Sequence, residues 1–84
     1  MTDEDIALSK EIEDKMHEFM RQTGKHPNIL LLDVFSAYRA RRVCAELCTN
    51  SRYAYIGDDM STNGMRVRQL STRKHTVIVA WDGD

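Results

Sequence analysis

The sequence predicts a two-layer α+β fold: a small, mainly antiparallel sheet with two helices on one face, in the order α-β-α-β-β-β. Three observations lead there. Helical periodicity is confined to two early stretches, residues 3–22 and 34–48. Short runs of aliphatic, β-branched and aromatic residues separated by turn chemistry close the chain. Helices followed by a run of strands, without βα alternation, are the mark of an α+β architecture. A length of 84 residues supports a single domain, 1–84.

The first helix is expected over residues 3–22. Thr2 is suited to cap it, with Asp5 three positions later in capping-box spacing. Leu8, Ile12, Met16, Phe19 and Met20 recur on one side, while Glu11, Asp14, Glu18 and Arg21 fall on the other. Gly24 and Pro27 stop it. Ile29–Leu32 reads as a short strand with both faces covered, because all four residues are aliphatic. Asp33 is placed to cap the second helix, roughly Val34 to Cys48. Its apolar arc holds Ala37, Ala40, Val43, Cys44, Leu47 and Cys48, with Arg39, Arg42 and Glu46 pointing the opposite way.

Thr49-Asn50-Ser51 is a loop by composition, and Arg52–Ile56 a strand. Gly57-Asp58-Asp59 and Ser61–Gly64 read as loop and turn, with Asn63-Gly64 the strongest turn dipeptide in the chain. Met65–Leu70 is a strand carrying Arg66, Arg68 and Leu70 on one face and Met65, Val67 and Gln69 on the other. After a polar turn, His75–Trp81 is the clearest strand, rich in β-branched residues.

Composition excludes some classes. Hydrophobic residues at 42% and charged residues at 30% are those of a globular domain, not a disordered one. No apolar run reaches membrane-spanning length, and no secretory leader pattern opens the chain. The expected location is a cytoplasm, with Cys44 and Cys48 as reduced, buried thiols. Net charge is −1, but residues 1–20 hold seven acids and two bases (−5), and residues 21–84 hold ten bases and six acids (+4). That asymmetry suits either steering of a partner or attraction between two parts of one molecule.

Catalytic signatures are missing: there is no nucleophile elbow, phosphate loop, zinc-protease motif or dinucleotide fingerprint. Asp33 at a strand end is explained by its capping duty. Asp58-Asp59 reads as a solvated turn, and Cys44/Cys48 lack the two further ligands of a tetrahedral site. The sequence therefore predicts no enzyme, no cofactor, no metal and no small-molecule substrate. Arg39, Arg42, Arg66 and Arg68 are the candidate binding residues, with Tyr53, Tyr55 and Trp81 interspersed in the same half of the chain. Arg, Tyr and Trp are the residue types of protein-interface hot spots, and also of nucleic-acid grips. A pI of about 6.3 weighs against the second.

The stretches "TGKHPNILLLDVFSAYRARRVCAEL" and "GMRVRQLSTRKHTVIVAWD" resemble a pattern of small phage and prophage α+β proteins, similar in part to phage capsid proteins. In that pattern a Pro-x-x-aliphatic strand leads into a helix bearing an aromatic, and a final strand ends in an aromatic. The likeness spans residues 23–82 and departs in the polar stretch between Thr49 and Asn63. It implies a phage-encoded origin and a virion, assembly or accessory role, and supplies no functional residue.

The expected function is thus a non-enzymatic phage or prophage protein acting by protein binding, self-association or virion assembly. The alternative is a nucleic-acid binder using the same four arginines, with affinity that falls steeply with salt. A further alternative is a host-interference protein whose acidic first helix, through Glu11, Asp14 and Glu18, mimics nucleic acid.

Overall fold

The computed structural model describes residues 2–46, 53–56 and 59–83, with only the backbone at 44–46, 53–56 and 59. Helix α1 (Asp3–Thr23) begins with the expected capping box: the Asp5 N–H donates to the Thr2 hydroxyl at 3.2 Å, and the Thr2 N–H donates to the Asp5 carboxylate at 3.0 Å. It ends at Gly24, whose φ of 72° is left-handed and whose N–H returns to the Met20 carbonyl at 2.8 Å. Strand β1 (Ile29–Leu32) runs straight into α2 (Val34–Glu46) through Asp33. Four strands follow: β2 (Tyr53–Ile56), β3 (Asp59–Thr62), β4 (Met65–Gln69) and β5 (Val77–Ala80).

The sheet order is β2-β3-β4-β1-β5. Only β1–β4 is parallel; β2–β3, β3–β4 and β1–β5 are antiparallel. The sheet is therefore mainly antiparallel, with α1 and α2 packed together on one face. Strand β1 sits between the two strands it joins, which is where a continuous aliphatic segment is best accommodated.

Two expectations about the sheet are corrected. Residues 59–62, read from composition as loop, form β3. Met60 and Thr62 are buried on the helix side of the sheet, and Ser61 and Thr62 pair with Arg66 and Met65. Asp and Ser are weak strand signals alone, but the Asn63-Gly64 turn folds the segment back so that Ser61 and Thr62 pair with β4, while all four residues pair with β2 on the other side. The second correction concerns β1. Leu30 and Leu32 are fully buried under the helices, whereas Ile29 and Leu31 are only half-buried, on a face that no helix covers among the described residues.

Asn63 and Gly64 both carry positive φ, 53° and 78°, as a type I′ hairpin requires. A Cβ on Gly64 would also stand 3.2 Å from His26 Cε1. Gly64→Ala is expected to destabilise by about 1–2 kcal/mol, read in thermal melts, since it strains the backbone and crowds the imidazole.

The core is Leu8 and Ile12 of α1, Ala37, Ala40 and Val43 of α2, and Leu30, Leu32, Met60, Met65 and Val77 of the sheet. The two alanines let α2 lie close to the strands. Strand β5 forms one end of the sheet, and α1 guards it: the Lys15 ammonium donates to the Val77 carbonyl at 2.8 Å. A lysine across an edge strand is a known deterrent to edge-to-edge pairing.

Candidate functional site

The four arginines singled out in the sequence separate into two pairs on opposite sides of the sheet. Arg39 and Arg42 do not point away from the protein body. They turn toward the N-terminus of α1, where Arg42 Nη2 lies 2.7 Å and 2.9 Å from the two Asp5 oxygens. Arg39 bridges Glu4 at 2.6 Å and Asp5 at 3.3 Å. Asp5 is 1% exposed. Burial pushes its carboxyl up, but the Thr2 hydrogen bonds, the Arg42 charge and the Arg39 hydrogen bond outweigh that and hold it below its ordinary value.

This cluster joins the acidic helix to the basic body, the intramolecular attraction that the charge split allows. Asp5 itself was legible only in part. It stands one turn before Leu8 on the apolar stripe, so an acid on the buried side was the available signal.

Asp33 is equally committed. Its Oδ2 accepts the Phe35 and Ser36 N–H groups at 3.1 Å each, and its Oδ1 accepts the Thr76 N–H at 3.0 Å. Burial raises the carboxyl, yet hydrogen bonds from Ser36 and Thr76 prevail and set it at about 2. Beside it lies a groove of about 330 Å³ between α1, the start of α2 and the turn before β5. Across it Arg39 pairs with Glu4, and the His75 Nε2 lies within hydrogen-bond distance of Glu11, at 2.8 Å.

Among the described residues, no group of three or more His, Cys, Asp or Glu comes together to hold a metal, and no helix is long and apolar enough to cross a membrane. Cys48 and Asp58 lie outside the described residues, as does the side chain of Cys44.

Arg66 and Arg68 occupy the other face of the sheet. Register places them beside β1 in two rows, Arg66–Ile29–Ala80 and Arg68–Leu31–Ile78. The uncovered face thus presents an aliphatic patch two strands wide with a column of two exposed arginines along one side. Ile78 is 46% exposed. A concavity of about 520 Å³ lies over this face, lined by Ile29, Arg66 and Arg68 among others. At its end, Asn28 exchanges two 2.8 Å hydrogen bonds with the Asp82 backbone, and the Lys25 ammonium sits 3.8 Å from the Trp81 ring centre.

A second exposed patch lies on α2, where Phe35 and Tyr38 are 58% and 67% exposed at i, i+3 spacing. No family model, no curated protein and no solved structure matches the chain.

Proposed function

We propose that the protein is a non-enzymatic binding protein whose partner is another protein, held on the open face of the sheet. The observation that carries this is the two-row surface of Ile29, Leu31, Ile78 and Ala80 beside Arg66 and Arg68. An apolar centre with arginine at its border is the make-up of a protein interface. Sheets that bind single-stranded nucleic acid offer aromatic rings for bases to stack on; on this face β1 and β5 present aliphatic residues and β4 presents Arg66 and Arg68, with no aromatic ring in these rows. The groove near Asp33 adds support, because an acid held at about 2 is ionised at neutral pH and its oxygens are occupied. The phage-encoded assembly or accessory setting rests on the resemblance of residues 23–82 and belongs to the same proposal.

Photo-crosslinking tests the reading. With benzoylphenylalanine in place of Ile78, and separately of Tyr38, adducts identified by mass spectrometry are expected from position 78 in the cells that express the protein. Adducts from position 38 alone would move the interface to α2. A labelled DNA that binds at low salt, and is lost in the Arg66→Ala/Arg68→Ala variant, would replace the protein partner by nucleic acid.

A further inference from the structure

We infer that the partner presents to this face an amphipathic α-helix carrying two carboxylates four residues apart along one flank. This rests on the protein-binding reading above and adds the shape and charge of what is bound.

The dimensions of the face lead there. Its apolar part spans β1 and β5, two strands about 4.8 Å apart. That is a footprint for one helix, whose diameter with side chains is about 10 Å. Covering a sheet face with a helix is also how this protein buries the opposite side, with α1 and α2 over Leu30, Leu32 and Val77. A helix laid along β1 would place one flank over β4. There Arg66 and Arg68, two residues apart on one strand, stand about 6.7 Å from each other. Carboxylates at i and i+4 of a helix are separated by about 6 Å along its axis, so each can meet one guanidinium. Charge complementarity therefore fixes which side of the helix is acidic.

Other occupants fit less well. An added β-strand needs a sheet edge, and at β5 the Lys15 ammonium already holds the Val77 carbonyl. A second copy would have to offer α1 or α2: the apolar stripe of α1 is spent on its own core through Leu8 and Ile12, 6% and 1% exposed, and α2, beside its exposed Phe35 and Tyr38, carries arginines and not the pair of carboxylates that Arg66 and Arg68 call for.

The test uses three labelled synthetic peptides of about 18 residues, long enough to hold helical structure. The first has a leucine stripe and a Glu pair at i, i+4 on one flank. The second has the same composition in strand alternation. The third replaces the Glu pair with Lys. Fluorescence anisotropy is read against the wild-type protein and against Arg66→Glu/Arg68→Glu, whose side chains are exposed.

The helical Glu peptide is expected to bind wild type and to lose roughly tenfold or more in affinity against the charge-reversed variant. The Lys peptide is expected to recover binding to that variant, which a misfolded protein could not do. Failure of the helical Glu peptide to bind, or binding indifferent to charge reversal, overturns the inference. Binding of the strand-patterned peptide, sensitive to the same variant, overturns the helix while leaving the face as a protein site. If labelled DNA binds in place of every peptide, the protein-binding reading itself falls.

Discussion

Replacing Asp33 with alanine is expected to cost about 3 kcal/mol, and to lower Tm by roughly 15 °C. The carboxylate serves three N–H groups from two elements: Phe35 and Ser36 in the first turn of α2, and Thr76 at the entry to β5. Alanine orphans all three in a site where Asp33 is 1% exposed. A lost helix cap accounts for about 1 kcal/mol; the remainder comes from the tie between α2 and β5. Asp33→Ser separates the two. Its hydroxyl can cap α2 without reaching Thr76, so a loss smaller than that of alanine is expected in denaturant titrations. Equal stability of wild type and Asp33→Ala would remove this carboxylate from the account of the fold.

The same residue sets a pH dependence. Its carboxyl titrates at about 2 in the folded chain, against an ordinary value of 3.8. The depressed value means that its contribution is complete above about pH 4 and is lost as pH falls toward 2. A shift of this size corresponds to about 2 kcal/mol. Stability measured from pH 5 to pH 2 should fall more steeply for wild type than for Asp33→Asn, which has no proton to bind there.

The second large effect is expected at the Asp5–Arg42 pair, and it is asymmetric. Arg42→Ala leaves a carboxylate that is 1% exposed with only the longer Arg39 contact and the Thr2 N–H, so a cost of about 3 kcal/mol is expected. Asp5→Ala strands a guanidinium whose side chain is 38% exposed and can turn to water, so about 2 kcal/mol is expected despite the loss of the capping box. Among the described residues the Arg42 Nε is buried and meets no acceptor. In a double-mutant cycle the two losses should fall short of additivity by about 1–2 kcal/mol. Additive losses would mean that the pair contributes separately to each helix and does not join them. Arg39, which also reaches Asp5, is kept in every arm of the cycle.

Much of the fold was legible because its signals are local. Thr2 and Asp5 close α1 within one turn of chain. Asp33 accepts the Phe35 and Ser36 N–H groups within the first turn of α2, and Asn63-Gly64 adopts the left-handed pair of φ values that the dipeptide favours. The faces of β4 followed from a period of two, and the arc of Ala37, Ala40 and Val43 from a period of 3.6. Strand β3 escaped because Asp59 and Ser61 read as turn residues beside Asn63-Gly64. What makes them a strand is pairing with β4 across the turn and with β2 on the other side, which composition does not encode.

The candidate site divides along the same line. That Arg66 and Arg68 share a face is a property of any strand, and the sequence by itself determined it, together with the caps, the turns and the acidic bias of α1. Only the tertiary structure decided what those charges do. Folding α1 across α2 brings Asp5 to Arg39 and Arg42 over more than thirty intervening residues and turns two of the four candidate arginines into internal ties. Pairing β1 with both β4 and β5 sets Ile29 and Leu31 between Arg66 and Arg68 on one side and Ala80 and Ile78 on the other. A hydrophobic residue in sequence carries no record of which strands will flank it, or of whether a helix will cover it. Both follow from long-range pairing, and that pairing makes an aliphatic strand half core and half open surface.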